Sequence, residues 1–195
     1  LLNGVTFGSL AFSMTLYFQL VRGYTPLQAG IALIPLDIAL IIIGPVSGRL
    51  SDVFGTRWLS SIGLTICGLA FMILTQLDSS TPELLVSLAL AVVGFGIGFF
   101  RSPNASAVIA SVPPERRGTA VGVRSTILNT SNLISVPFAT VIMSFIIPYS
   151  LLSTIISGSS ANRVELGLLM TALKSAFLIF AALNFASATV SSLRK

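Results

Sequence analysis

The stretch Gly48-Arg49-Leu50-Ser51-Asp52-Val53-Phe54-Gly55-Thr56-Arg57 sits between two apolar runs that are each long enough to cross a bilayer. Asp52 and the arginines cannot follow their neighbours into lipid, and Gly48 and Gly55 allow close helix approach and a tight reversal of the backbone. The segment therefore reads as a charged turn at a membrane face, with one span entering it and another leaving.

Composition agrees. Hydrophobic residues make up 54% of the chain and charged residues 9%, and mean hydropathy is +0.96. Soluble domains carry about 25% charged residues. A water-facing shell for 195 residues would need far more Lys, Glu and Asp than are present. The net charge of +5 comes without a basic stripe interleaved with aromatics, so no nucleic-acid partner is expected. Histidine is absent, which removes Ser-His and Cys-His nucleophiles and histidine-ligated cofactors. The lone Cys67 lies in an apolar run and offers no disulfide framework or metal cluster. No enzyme activity and no cofactor are expected. A Ser-Lys dyad using Lys174 is the remaining catalytic alternative and ranks last.

The hydrocarbon core is about 30 Å thick and a helix rises about 1.5 Å per residue, so windows of about 20 apolar residues mark spans. Six are expected, near 1–21, 27–48, 58–77, 83–103, 119–147 and 164–190. Breakers separate them at Gly23 and Pro26, Gly55, Pro82, Pro113 with Pro114, and Pro148. The longer connection from Pro148 to Arg163 suits a partial helix along the interface. Alternating the spans puts Arg49, Arg57, Arg116, Arg117, Arg194 and Lys195 on one side, with Arg101 and Arg124 near it, and Arg22 and Arg163 on the other. The positive-inside rule makes the first side cytoplasmic and returns the C-terminus to it. The chain lacks an initiator Met, a basic leader and a cleavage site, so it reads as part of something longer, without a signal peptide.

Several polar residues fall within the spans. Asp37 lies about ten residues into the second, about 15 Å deep, where a carboxylate costs roughly 2.5 to 3.5 kcal/mol on insertion scales. It is the candidate proton or cation site. Lys174 is comparably deep in the last span and either neutralises Asp37 or snorkels. Asn3, Thr6, Ser9, Ser13 and Tyr17 recur every three or four residues, a stripe expected to line a cavity unless the hydroxyls satisfy themselves on the preceding turn. Ser125, Asn129 and Asn132 form a second stripe, suited equally to helix contacts and to substrate. Arg101 either snorkels to lipid phosphates or holds an acidic neighbour, and Arg124 stands beside the second stripe. Glycine pairs at 4 and 8, 44 and 48, 94 and 98, and 118 and 122 read as packing faces. Gly94-Phe95-Gly96-Ile97-Gly98 is no dinucleotide loop, since it has no preceding strand. Pro45 and Pro137 are candidate bends. Pro26 to Gly30 and Pro114 to Gly118 are a faint echo, as two inverted triplets of spans would produce.

Gly48, Leu50, Asp52, Gly55 and Arg57 together resemble the cytoplasmic loop signature of the major facilitator superfamily. Gln19 to Gly30 with Ile34-Pro35, and Ser102-Pro103-Asn104 with Val112 to Gly118, resemble its fourteen-span drug:proton antiporter branch. Val53 stands where that pattern carries a basic residue, and neither Thr56 nor Trp58 supplies the second base usual beside Arg57, so the loop's charge network is thinner. The resemblance implies an all-α membrane protein, the C-terminal six-helix half of a transporter built from two inverted three-helix repeats, with the N-terminal half as its missing partner. It also implies a plasma-membrane location, an amphiphilic substrate at the interface of the halves, and the proton gradient as energy source. Asp52 would then latch a neighbouring helix end in one conformation, the plainer role being a cap on its own helix. A channel-like or scaffolding six-helix protein is the alternative, although no filter sequence is visible.

Overall fold

The computed structural model describes residues 2–148 and 163–193. The expected interfacial helix between Pro148 and Arg163, and Arg194 and Lys195, which the sequence assigns to the expected cytoplasmic side, lie outside the described residues. Among the described residues, six helices are long and apolar enough to cross a membrane. Helix α1 (Leu2–Leu16) runs on into a π turn (Tyr17–Val21); α2 is Pro26–Phe54, α3 Thr56–Leu74, α4 Glu83–Ala110, α5 Arg117–Ser144 and α6 Arg163–Leu193.

Local chemistry sets the ends. Thr25 caps α2 through a capping box with Gln28, and Pro26 occupies the first turn. At the other end Gly55 adopts φ 84°, which a side chain resists, so one residue reverses the chain into α3. The charged loop is accordingly shorter than the sequence suggests. Helix α2 runs six residues past Gly48, and α3 starts at Thr56, so Leu50 and Asp52 are helical and only Gly55 is loop. Pro103 does not end α4, which continues to Ala110. Neighbouring helices at membrane depth can absorb the hydrogen bond a proline removes.

Small residues let the helices touch. The buried face of α2 (Ala29, Ala32, Leu36, Ala39, Ile43, Ser47) lies on α4 at Gly94 and Gly98, and Ser47 Oγ donates to Gly98 O at 2.9 Å. A Cβ on Gly63 of α3 would stand 2.6 Å from Gly96 O of α4. Gly4 and Gly8 of α1 face Ser131 and Ser135 of α5. Phe71, Phe138, Phe177 and Phe180 form an aromatic centre joining α3, α5 and α6, with Phe71 and Phe180 edge to face at 5.6 Å.

The pairing of helices has an internal symmetry. Helix α2 packs on α4 while α5 packs on α1, α3 packs on α4 while α6 packs on α1, and α3 meets α6. Exchanging the triplets α1–α3 and α4–α6 leaves that pattern unchanged, as two three-helix repeats require. Helices α2 and α5 are the least covered of the six, so each carries a face that this bundle does not bury.

Candidate functional site

Next to these uncovered faces, α1, α4 and α5 enclose a hollow of about 450 Å³. Arg101 and Asn104 project into it from α4, Arg116 from the short turn that precedes α5, Thr119 and Arg124 from the first turns of α5, and Asn3 from α1. Apolar side chains, Val108, Val123 and Ile127 among them, complete the wall. The Arg101 guanidinium lies 4.6 Å from the Phe7 ring centroid, so the aromatic face on α1 holds it inside the bundle. A second hollow, on the α3 and α6 side, shares Asn3, Phe100 and Asn104 as its wall.

The stripe on α1 does not line these hollows beyond Asn3. Thr6, Ser9, Ser13 and Tyr17 are buried between helices. Asn3 Nδ2 donates to Asn184 Oδ1 at 3.2 Å, and Asn184 Nδ2 donates to Thr6 Oγ1 at 3.2 Å and to Phe180 O at 2.8 Å. Ser9 Oγ donates to Ser135 O at 2.7 Å, and the Tyr17 hydroxyl donates to Asp78 O at 2.8 Å. Polar groups in lipid must find protein partners, and beyond Asn3 the stripe's bonded members meet α5, α6 and the α3–α4 loop instead of a cavity. Ser13 Oγ is buried with no partner among the described residues. Asn184 was missed by the sequence reading; an amide inside an apolar run was its only signal.

The second stripe fares differently. Ser125, Asn129 and Asn132 are exposed along α5, beside Gly118 and Gly122, which have open space where a Cβ would be. Asp37 is likewise exposed on α2. It shares its side of the helix with Gly30 and Gly44, seven residues to either side and also uncovered. The open faces of α2 and α5 thus carry the deep carboxylate and the amides.

Lys174 and Asp37 are not brought together. Helices α2 and α6 share no packed interface, and Lys174 lines a different hollow with Asp78, Ser79 and Thr171. Arg101 and Arg124 do come together, and among the described residues no acidic side chain lines their hollow. At the loop signature, Asp52 and Arg57 are exposed and Leu50 lies in an apolar surface groove with Phe54 and Trp58. Gly48 passes close to α4, where a Cβ would stand 3.0 Å from Ser102 Oγ. Helix α3 has no side-chain cap, so Asp52 does not cap it.

A family profile described as Major Facilitator Superfamily matches residues 1–136. The chain is 33% identical over 120 residues to the methylenomycin A resistance protein of Streptomyces coelicolor, covering 62% of this chain and 25% of that one. It is 33% identical over 113 residues to the multidrug resistance protein Stp of Mycobacterium tuberculosis, covering 57% and 20%. With the riboflavin transporter RibZ of Clostridioides difficile it shares 26% over 130 residues, covering 67% and 28%. The matches span about a quarter of the length of these relatives.

Proposed function

The chain belongs to the major facilitator superfamily, and on that premise we propose that it is the C-terminal six-helix half of a secondary active transporter that exports amphiphilic compounds in exchange for protons. The observation that carries this reading is the pair of uncovered faces on α2 and α5, flanking a hollow between α1, α4 and α5. A second six-helix unit seated there would close a pathway between the two units at the bilayer midplane. Asp37, on the open face of α2, is then the group that takes and releases the coupling proton. Asp52, uncommitted at the end of α2, is the latch that engages a helix end of the other half in one conformation. The cluster of Arg49, Arg57, Arg116 and Arg117 at one end of the bundle makes that end cytoplasmic, in the plasma membrane.

Relatives named for drug resistance support an amphiphilic cargo, and the relative named for riboflavin widens the set to polar heteroaromatic compounds. The test uses the intact polypeptide, its mass first established in its native cells, reconstituted into liposomes with an imposed pH gradient. Ethidium and riboflavin are offered separately while internal pH is followed. Substrate-dependent proton movement that a protonophore abolishes is the expected result. Substrate flux that ignores the gradient would overturn the coupling, and no flux of either compound would overturn the cargo class.

A further inference from the structure

The hollow between α1, α4 and α5 has a charge character that a neutral or cationic cargo does not explain. Among the described residues, three arginines, Arg101, Arg116 and Arg124, line it, and no acidic residue does. Arg101 lies 18 residues beyond Glu83 on α4, about 27 Å along the helix at 1.5 Å per residue, toward the arginine-rich end of the bundle. Simple snorkelling would send its side chain outward to lipid phosphates. Instead the guanidinium stacks on Phe7 of α1 and turns into the bundle. The like charge of Arg124 bears on it there. Among the described residues, neither arginine nor Asn104 has a hydrogen-bond or ion-pair partner. Two half-buried guanidinium groups with ten N–H donors between them are thus held without an acceptor, an arrangement that favours an anion carrying two or more oxygens.

The size of the space identifies the anion further. About 450 Å³ is far more than one carboxylate fills, and falls within the range of small-molecule pockets. Beyond the arginines the wall is apolar, formed by Val108, Val123 and Ile127 among others. We propose that this hollow binds an anionic amphiphile, with a carboxylate or phosphate head clamped by Arg101 and Arg124 and the hydrocarbon part against the apolar wall. Asn104 supplies a further donor to the head, and Arg116, exposed at the rim, draws anions toward the opening. This deepens the transport reading and rests on it for the cargo's role, whereas occupancy itself needs no gradient.

The experiment measures binding of dodecyl phosphate and of dodecyltrimethylammonium, which share a tail and differ in charge, to the intact protein in phosphatidylcholine nanodiscs. Arg101→Gln and Arg124→Gln should each weaken dodecyl phosphate at least about ten-fold, the scale of a lost charge-assisted hydrogen bond, and leave the cation unchanged. Arg101→Lys and Arg124→Lys, which keep the charge, should fall between wild type and the glutamine variants. Ile127→Glu places a competing carboxylate one turn from Arg124 and should reduce dodecyl phosphate binding with both arginines intact, so the proposal stays testable if a glutamine variant fails to fold. Unchanged dodecyl phosphate affinity in the variants, or equal loss for both amphiphiles, would overturn it. Nanodiscs containing phosphatidylglycerol separate the two sources of the head group. Lipid that stays bound in wild type, is lost in the glutamine variants and resists displacement identifies a structural lipid, and lipid displaced by dodecyl phosphate that is then transported identifies cargo. Because binding is read without a pH gradient, failed binding leaves proton-coupled export standing, and failed export leaves the anion site standing.

Discussion

Asn3 and Asn184 join the first and last helices through a 3.2 Å hydrogen bond, and the same Asn184 amide reaches Thr6. Both residues are almost fully buried, in a region where lipid offers no alternative partner. Replacing Asn184 by Leu removes the partner of two buried polar groups. Interhelical hydrogen bonds in membranes average about 0.6 kcal/mol, and a stranded polar group adds to that, so a loss of about 1 to 2 kcal/mol is expected. Asn3→Leu should cost a similar amount, and the double variant less than the sum. Thermal unfolding in detergent of the four proteins measures this coupling, and strict additivity would mean the bond contributes nothing.

Gly98 and Ile43 occupy one contact between α4 and α2, where a Cβ on Gly98 would collide with the Ile43 side chain. Gly98→Ala should therefore destabilise by about 1 to 3 kcal/mol, the usual cost of overpacking. Adding Ile43→Ala makes room and should restore much of it. Gly94 offers no such rescue, because a Cβ there meets the backbone carbonyl of Leu36. Melting temperatures should rank wild type first, then G98A with I43A, then G98A alone.

Hydropathy marks all six long apolar helices among the described residues, because a helix built to face lipid cannot hide its composition. Ends were harder to read. The polar run from Gly48 to Arg57 looked like a loop, yet α2 stays helical to Phe54, since a helix can extend beyond the bilayer wherever water solvates its side chains. The α1 stripe shows a different limit. Spacing revealed that Thr6, Ser9, Ser13 and Tyr17 share a face, but not whether protein or water covers it, because both choices satisfy hydroxyls. Arg101 and Arg124 are legible as charges near the arginine-rich end of their spans; their convergence depends on how α4 and α5 lean on α1, which periodicity within one helix does not encode.

Tyr17 and Arg22, at the end of α1, fasten the adjoining α3–α4 connection. Tyr17 donates to Asp78 O, and Arg22 Nη1 donates to Ser79 O at 2.9 Å and Thr81 O at 2.8 Å. Arg22→Ala should release both carbonyls to water and raise amide hydrogen exchange several-fold across residues 77–81, without affecting exchange at the arginine-rich end. Tyr17→Phe should act on the same segment more weakly and cost about 0.5 to 1.5 kcal/mol, the net value of one hydrogen bond. Exchange that rises uniformly along the chain would point to global loosening instead of a local tie.

Asp37 stands 11 residues beyond Pro26, the first residue of α2, about 16 Å along the helix, on a face that no helix of this bundle covers. Lys174 faces a different hollow, so the simplest neutralising partner within the bundle is absent from its surroundings. A carboxylate so placed binds a proton or a cation, or pairs with a group on whatever covers α2. Asp37→Asn keeps the shape and hydrogen-bonding capacity and removes the titration. Proton exchange as its role leads to a variant of the intact protein that binds ethidium within about two-fold of wild type, measured at equilibrium, with pH-gradient-driven transport abolished. Asp37→Glu should retain part of the coupled flux. If the asparagine variant still moves substrate against its gradient at the wild-type rate, Asp37 is not the coupling group, whatever else its face contacts.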